Sequence, residues 1–110
     1  KGNKLSCCLY QRSGDVGLGV PFNIASYAIL TRIIASICNL EAHELIYFLS
    51  NAHIYDDHID SLKQQLLREP YPFPTLTFNE KITSLDDINI NNFVVNDYKY
   101  HSKLTMIMRK

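Results

Sequence analysis

An excess of charge of either sign is absent from this chain: eleven basic residues offset eleven acidic ones among 110. No overall field draws it to nucleic acid or to an anionic membrane, so an anionic ligand has to be held by particular side chains. A disulfide framework is missing too. Cys7, Cys8 and Cys38 form an odd set, two of them adjacent, without paired metal-ligand spacing. That usage favours a reducing compartment, and the cytoplasm is the expected location. An unbroken apolar run of the roughly 20 residues needed for a membrane span is also lacking. The most apolar stretch, Phe22 to Leu40, is interrupted by Asn23, Ser26, Thr31, Arg32, Ser36 and Asn39, and it reads as a buried helix of a soluble protein. There is no internal repeat or low-complexity tract, the first residue is not methionine, no signal peptide is expected, and the chain is expected to begin in mid-protein.

What is present is an ordinary globular balance, 46% apolar and 20% charged, unlike the apolar-poor, charge-rich composition of disorder. The length suits one domain or a piece of one. Leu5 to Tyr10 is a short apolar run of strand character, and Arg12 to Gly19 after it holds Ser13, Gly14, Asp15, Gly17 and Gly19, all loop formers. Pro21 suits the first turn of a helix, since its fixed φ is helical and its missing N–H would be unpaired there. The spacing of Phe22, Ile24, Ala25, Ala28, Ile29, Ile33, Ile34 and Ile37 predicts a helix over 21–38 with packing on several sides.

Leu45 to Tyr55 reads as a buried strand. Asp56 and Asp57 are candidate caps for a short helix carrying Ile59, Leu62 and Leu66, stopped by Pro70. Pro70, Pro72 and Pro74 alternate with Tyr71 and Phe73, an extended connector into a strand over 75–78. Ser84-Leu85-Asp86-Asp87 resembles a helix start, Phe93-Val94-Val95 a strand, and 104–108 a last apolar run. The sum is an α/β (α+β) fragment, a mixed sheet packed around a long buried helix.

Chemistry concentrates in one place. Gln11-Arg12-Ser13, at the end of a strand and ahead of a glycine loop and a helix start, can bring a guanidinium, a hydroxyl and free N–H groups together around a phosphate. The glycine spacing matches neither a dinucleotide fingerprint nor a P-loop, so an ordinary tight turn with a surface arginine stands as the alternative. Cysteines in an apolar strand are usually small buried hydrophobes, which is the expectation for Cys7 and Cys8 and, on the helix, for Cys38. His43, His58 and His101 lack metal-like spacing and are expected at the surface or in caps. No metal is expected.

The string YQRSGDVGLGVPFNIASYA, Tyr10 to Ala28, resembles the most distinctive block of thymidylate synthases. The resemblance continues through CNL at Cys38 to Leu40, NAHIYDDHIDSLKQQLLREPYPFP from Asn51 to Pro74 and the terminal KLTMIM, so residues 1–110 resemble the C-terminal part of a single domain of that family. It implies a methyltransferase, active as a homodimer, that converts dUMP to dTMP with 5,10-methylenetetrahydrofolate and needs no metal. By it, Arg12 and Ser13 bind the 5′-phosphate, joined by two arginines of the other subunit, while Gln11 and Asp15 line the cavity. Asp15 also meets the pterin, and Leu18, Gly19 and Phe22 form part of the folate pocket. His53 and Tyr55 serve dUMP, with Tyr55 on the ribose 3′-hydroxyl, and their spacing puts both on one face of a strand.

Asn23 is implied as the base reader and as a catalytic residue beside Asp15, because an amide can match the uracil N3–H and O4 edge. The related dCMP hydroxymethylases carry Asp there, which makes hydroxymethylation the lesser alternative. The family's Pro-Cys-His nucleophile motif is not among these residues, and its place falls before Lys1. A non-catalytic binding or dimerising module is therefore the rival from another class. A fusion to dihydrofolate reductase is compatible with the block from His53 to Pro74. Where the family commonly ends in a small and a hydrophobic residue, this chain has Arg109 and Lys110.

Overall fold

The computed structural model describes residues 2–109. Two long strands and the helix between them form its frame: β1 (Lys4–Asp15), α1 (Val20–Ile37) and β2 (Glu41–His53). β1 and β2 pair in parallel, from Lys4 with Glu41 to Asp15 with His53. Parallel neighbours cannot be joined by a tight turn, and α1 is the crossover that returns the chain to the start of the sheet. That arrangement also answers the membrane question for α1, which is long and apolar enough for a span by length and composition. Both of its ends connect to strands of one ladder lying alongside it, so a bilayer around α1 would have to contain the ladder as well.

β1 runs four residues further than a loop beginning at Arg12 would allow, because β2 supplies partners as far as His53 and the ladder overrides the turn preference of Ser13 and Gly14. β2 likewise starts earlier than expected, with an irregularity opposite Leu5 and Ser6, and ends before Tyr55. α1 ends in a Schellman motif. Leu40 N–H bonds Ala35 C=O at 2.7 Å and Asn39 N–H bonds Ser36 C=O at 3.2 Å, with Asn39 in the left-handed region at φ 56°.

A 3-10 turn (Asp56–His58) leads into α2 (Ile59–Leu66). Neither aspartate caps α2 through its side chain, since both lie inside the turn, and His58 occupies the cap position instead. Beyond the extended proline segment, β3 (Thr75–Phe78) and β4 (Phe93–Asn96) pair antiparallel as a second small sheet. The turn between them is capped by Ser84 and Asp87 in a capping box, as the sequence predicts. Ile82, fully buried, joins this second unit to α1 through Ser36 Oγ, which donates to Ile82 C=O at 2.9 Å.

The mixed α/β class holds, and one detail of it changes. Only Thr31, Ile33 and Ala35 of α1 are buried, while Phe22, Ile24, Ile29, Leu30 and Ile34 are exposed. Two strands cover one flank of an 18-residue helix and leave the others bare. Residues 104–109 carry no regular structure and lie across the Asp56–His58 turn and α2. Ser61 Oγ donates to Thr105 C=O at 2.9 Å, and Arg109 pairs with Asp57 at 3.0 Å. Lys110 lies outside the described residues.

Candidate functional site

Parallel strands end side by side, and open α/β units bind their ligands outside those carboxyl ends. Here the edge consists of Asp15 and His53, facing each other in register, and the first turn of α1. The four-residue turn between β1 and α1 is tied on both sides. Val16 N–H donates to His53 C=O at 2.9 Å, Gly19 N–H to Asp15 C=O at 3.0 Å and Asn23 N–H to Gly19 C=O at 2.9 Å. Asp15 Oδ1 accepts from Gly17 N–H at 2.9 Å, an Asx-type turn that orients the carboxylate and leaves Oδ2 without a hydrogen bond among the described residues. Gly19 is needed for closeness: a Cβ there would lie 3.1 Å from the Asp15 carbonyl oxygen.

Period-two alternation sorts the β1 side chains. Gln11 faces α1, whereas Arg12 is exposed on the opposite face with Cys8 and Tyr10; past Arg12 the alternation breaks, since a Cβ at Gly14 would lie 3.0 Å from both Gln11 Nε2 and Val20 Cγ2. Arg12 borders an open groove with Tyr10, Phe48 and Ser50.

On the inner face the structure brings Gln11 and Asn23 together. Gln11 Nε2 donates to Asn23 Oδ1 at 3.0 Å and to Ser13 C=O at 2.8 Å, while Tyr47 Oη donates to Gln11 Oε1 at 2.5 Å. A hydroxyl on Oε1 and carbonyl-type acceptors on Nε2 fix which way the Gln11 amide points. That in turn assigns Oδ1 of Asn23 to Gln11 and turns Nδ2 outward as a donor. Tyr47 was not anticipated as a site residue. The signal for it is period-two spacing, which puts it on the same face as Leu49, the register partner of Gln11.

Leu18 and Gly19 are half-buried in the turn, and Phe22 is 72% exposed at the start of α1, an open apolar ring beside Asn23. His53 ends β2, and Tyr55 lies two residues on, past the strand. Their rings still meet edge to face at 5.4 Å between centroids. The acceptor on Asp15, the outward amide of Asn23 and the ring of Phe22 fit a heteroaromatic ligand with N–H donors. Among the described residues no group of three or more His, Cys, Asp or Glu is placed to hold a metal ion.

His58 is at a helix cap, one of its two expected places, but not at the surface. It is fully buried, with Nε2 2.7 Å from Ile107 C=O and Nδ1 without a partner. The cysteines depart as well: Cys7 is half-buried, but Cys8 and Cys38 are exposed, because the outer face of the ladder and the end of α1 are uncovered. Cys7 stands eight residues before Asp15, about 26 Å along an extended strand, too far to act at the edge.

This geometry defines an α/β protein whose ligand edge lies at the carboxyl ends of paired parallel strands. The chain belongs to the thymidylate synthase family, whose model matches residues 1–110. It is 58% identical over 105 residues to the bifunctional dihydrofolate reductase-thymidylate synthase of Plasmodium berghei (strain Anka), covering 96% of this chain and 18% of that protein. It is also similar to the thymidylate synthase of Homo sapiens, 52% identical over 106 residues, and of Saccharomyces cerevisiae, 51% over 105, in each case covering 96% of this chain and 34% of the relative. The chain thus spans about a fifth to a third of the length of these curated relatives.

Proposed function

We propose that the full-length protein carrying this chain is a methyltransferase that converts dUMP to dTMP by reductive methylation, with 5,10-methylenetetrahydrofolate as co-substrate. The observation that carries this reading is the Tyr47–Gln11–Asn23 hydrogen-bond chain. It turns a donor outward at Asn23 while one lone pair of Oδ1 stays available, which suits uracil O4 and N3–H. Cytosine needs the reverse pattern, and a free amide could flip to supply it. Here the flip would break the bond from Gln11.

The folate, when bound, supplies both the transferred carbon and the hydride. Asn23 Nδ2 is placed to donate to O4, where charge develops as a thiolate adds to C6 of the base. That thiolate comes from outside this chain. Asp15 would accept from the pterin through its free oxygen, and Leu18, Gly19 and Phe22 would form part of the folate pocket. Gln11, Asp15, His53 and Tyr55 line the nucleotide side.

Arg12, on the outer face of the ladder, takes the 5′-phosphate together with Ser13. That face carries Tyr10, 76% exposed and stacked on Phe48 at 4.8 Å, together with exposed Ile46, and such a patch supports homodimerisation, with residues 1–110 as the C-terminal part of one domain. The reading includes a cytoplasmic location and no membrane or nucleic-acid partner. The test is turnover: purified full-length protein given dUMP and methylenetetrahydrofolate forms dTMP and dihydrofolate, and folded protein that forms neither defeats the proposal. A binding module without turnover is the second reading, favoured by one observation, that no cysteine of this chain lies at the ligand edge.

A further inference from the structure

His58 is the one fully buried side chain whose polar atom lacks a partner among the described residues. Three separate stretches meet at its ring. Ile107 C=O, 2.7 Å from Nε2, can only accept, so Nε2 carries the proton and donates to the C-terminal segment. Nδ1 faces the turn between β1 and α1, 3.7 Å from Asp15 Oδ1. A Cβ added at Gly17 would lie 2.9 Å from Nδ1 and 3.1 Å from Met106 Sδ, so turn, ring and tail are packed without slack. Tyr55 closes the ring from the side, edge on at 5.5 Å.

We propose that His58 is a positioning residue that locks the 104–109 segment and the Asp15–Gly19 turn into one fixed relation, and so places Asp15 for the folate. This rests on the assignment of Asp15, Leu18, Gly19 and Phe22 to the folate side under the proposed function. The reasoning is geometric. The tail's other polar ties, Ser61 to Thr105 and Asp57 to Arg109, are exposed, and Met106 meets the turn only by packing at Gly17, whereas the buried His58 ring hydrogen-bonds the tail and adjoins Asp15. Its ring makes no hydrogen bond to Gln11 or Asn23, which Tyr47 holds, and it meets the nucleotide side only edge on, at Tyr55.

Two substitutions separate the bond from the bulk. His58→Gln puts an amide N–H where Nε2 was and can still donate to Ile107 C=O; His58→Asn is too short to do so. In the full-length protein His58→Asn is expected to lower kcat/KM for methylenetetrahydrofolate by about tenfold or more, as displaced catalytic groups do, and to weaken dUMP binding by clearly less. His58→Gln is expected to recover most of the loss. Hydrogen exchange of residues 104–109 is expected to quicken in His58→Asn and stay near wild type in His58→Gln, a readout that requires no turnover. Wild-type protein inactive on dUMP would defeat the functional reading alone, and the exchange comparison would still test the lock. Equal behaviour of the two variants, or parallel loss of dUMP and folate affinity, would overturn the role given to His58.

Discussion

Gln11 Nε2 donates to Asn23 Oδ1 at 3.0 Å across twelve residues of sequence, joining the strand that leads into the site to the helix that leaves it. Since Tyr47 holds the other end of Gln11, the orientation of the Asn23 amide is set before any ligand arrives. Preorganised polar groups discriminate strongly because the wrong partner leaves buried donors or acceptors unpaired.

Asn23→Asp in the full-length protein is expected to move the ratio of kcat/KM for dUMP over dCMP toward the cytosine nucleotide. The size is on the order of 1–3 kcal/mol per mismatched polar group. Tyr47→Phe removes one anchor of the relay and is expected to shift the same ratio in the same direction by less. Steady-state kinetics on both nucleotides measures it, and an unchanged ratio in Asn23→Asp would remove Asn23 from the role of base reader.

Arg12→Ala is expected to weaken dUMP and dCMP equally, by roughly 1.5–3 kcal/mol for a lost charge-assisted contact. The nucleoside deoxyuridine, which has no phosphate, is expected to bind the variant and the wild type alike. Calorimetric titration of all three ligands checks this; a selective loss for one base would contradict a phosphate role.

The 110-residue chain alone is expected to show no dUMP methylation, since its cysteines lie away from the edge. It is also expected to self-associate. Phe22, Leu66, Leu67, Phe73 and the Tyr10–Phe48 pair are all exposed, more apolar surface than a stable monomer leaves uncovered. Analytical ultracentrifugation showing a monodisperse monomer would refute the second expectation, and dTMP formation the first.

The β3–β4 turn is expected to be acid-sensitive. The Thr83 hydroxyl, donating at 2.8 Å, holds the Asp87 carboxyl below its ordinary value of 3.8, and the backbone N–H groups of Ser84 and Thr83 add to this. A depressed folded value means the stabilisation is complete above the unfolded value and disappears as pH falls through the folded one. NMR shifts of the Ser84 and Asp86 amides are expected to hold steady above the ordinary carboxylate range and to move only below it. Asp87→Asn should abolish that transition, and the same transition persisting in the variant would show that another group is responsible.

Ile82→Ala is expected to destabilise the full-length protein by about 2–5 kcal/mol, the usual cost of emptying a fully buried aliphatic site. Ile82 is 0% exposed and seats the second sheet against α1. Urea unfolding at equilibrium gives the value, and a change below about 1 kcal/mol would mean that the site relaxes around the smaller side chain.

Much of this architecture was legible in local patterns. Pro21 and the apolar spacing behind it marked α1 to within a residue at each end, the alternating prolines marked the extended run into β3, and Ser84 with Asp87 marked a cap. The family string from Tyr10 to Ala28 pointed to the residues that the structure gathers at one edge. These signals are short-range, carried by φ restrictions, side-chain period and capping within a few residues.

Other features depended on partners distant in the chain. Ser13 and Gly14 favour a turn locally, and only the pairing with Asn51 and Ala52 keeps them extended. Tyr47 carries no mark of function until the parallel register places it beside Gln11. His58 reads as a surface or capping histidine, and residues 104–109 fold over it to bury it. In each case the deciding contact joins residues separated by more than thirty positions. Composition and periodicity describe what a segment can become, but the side that a residue finally faces is set by the element packed against it.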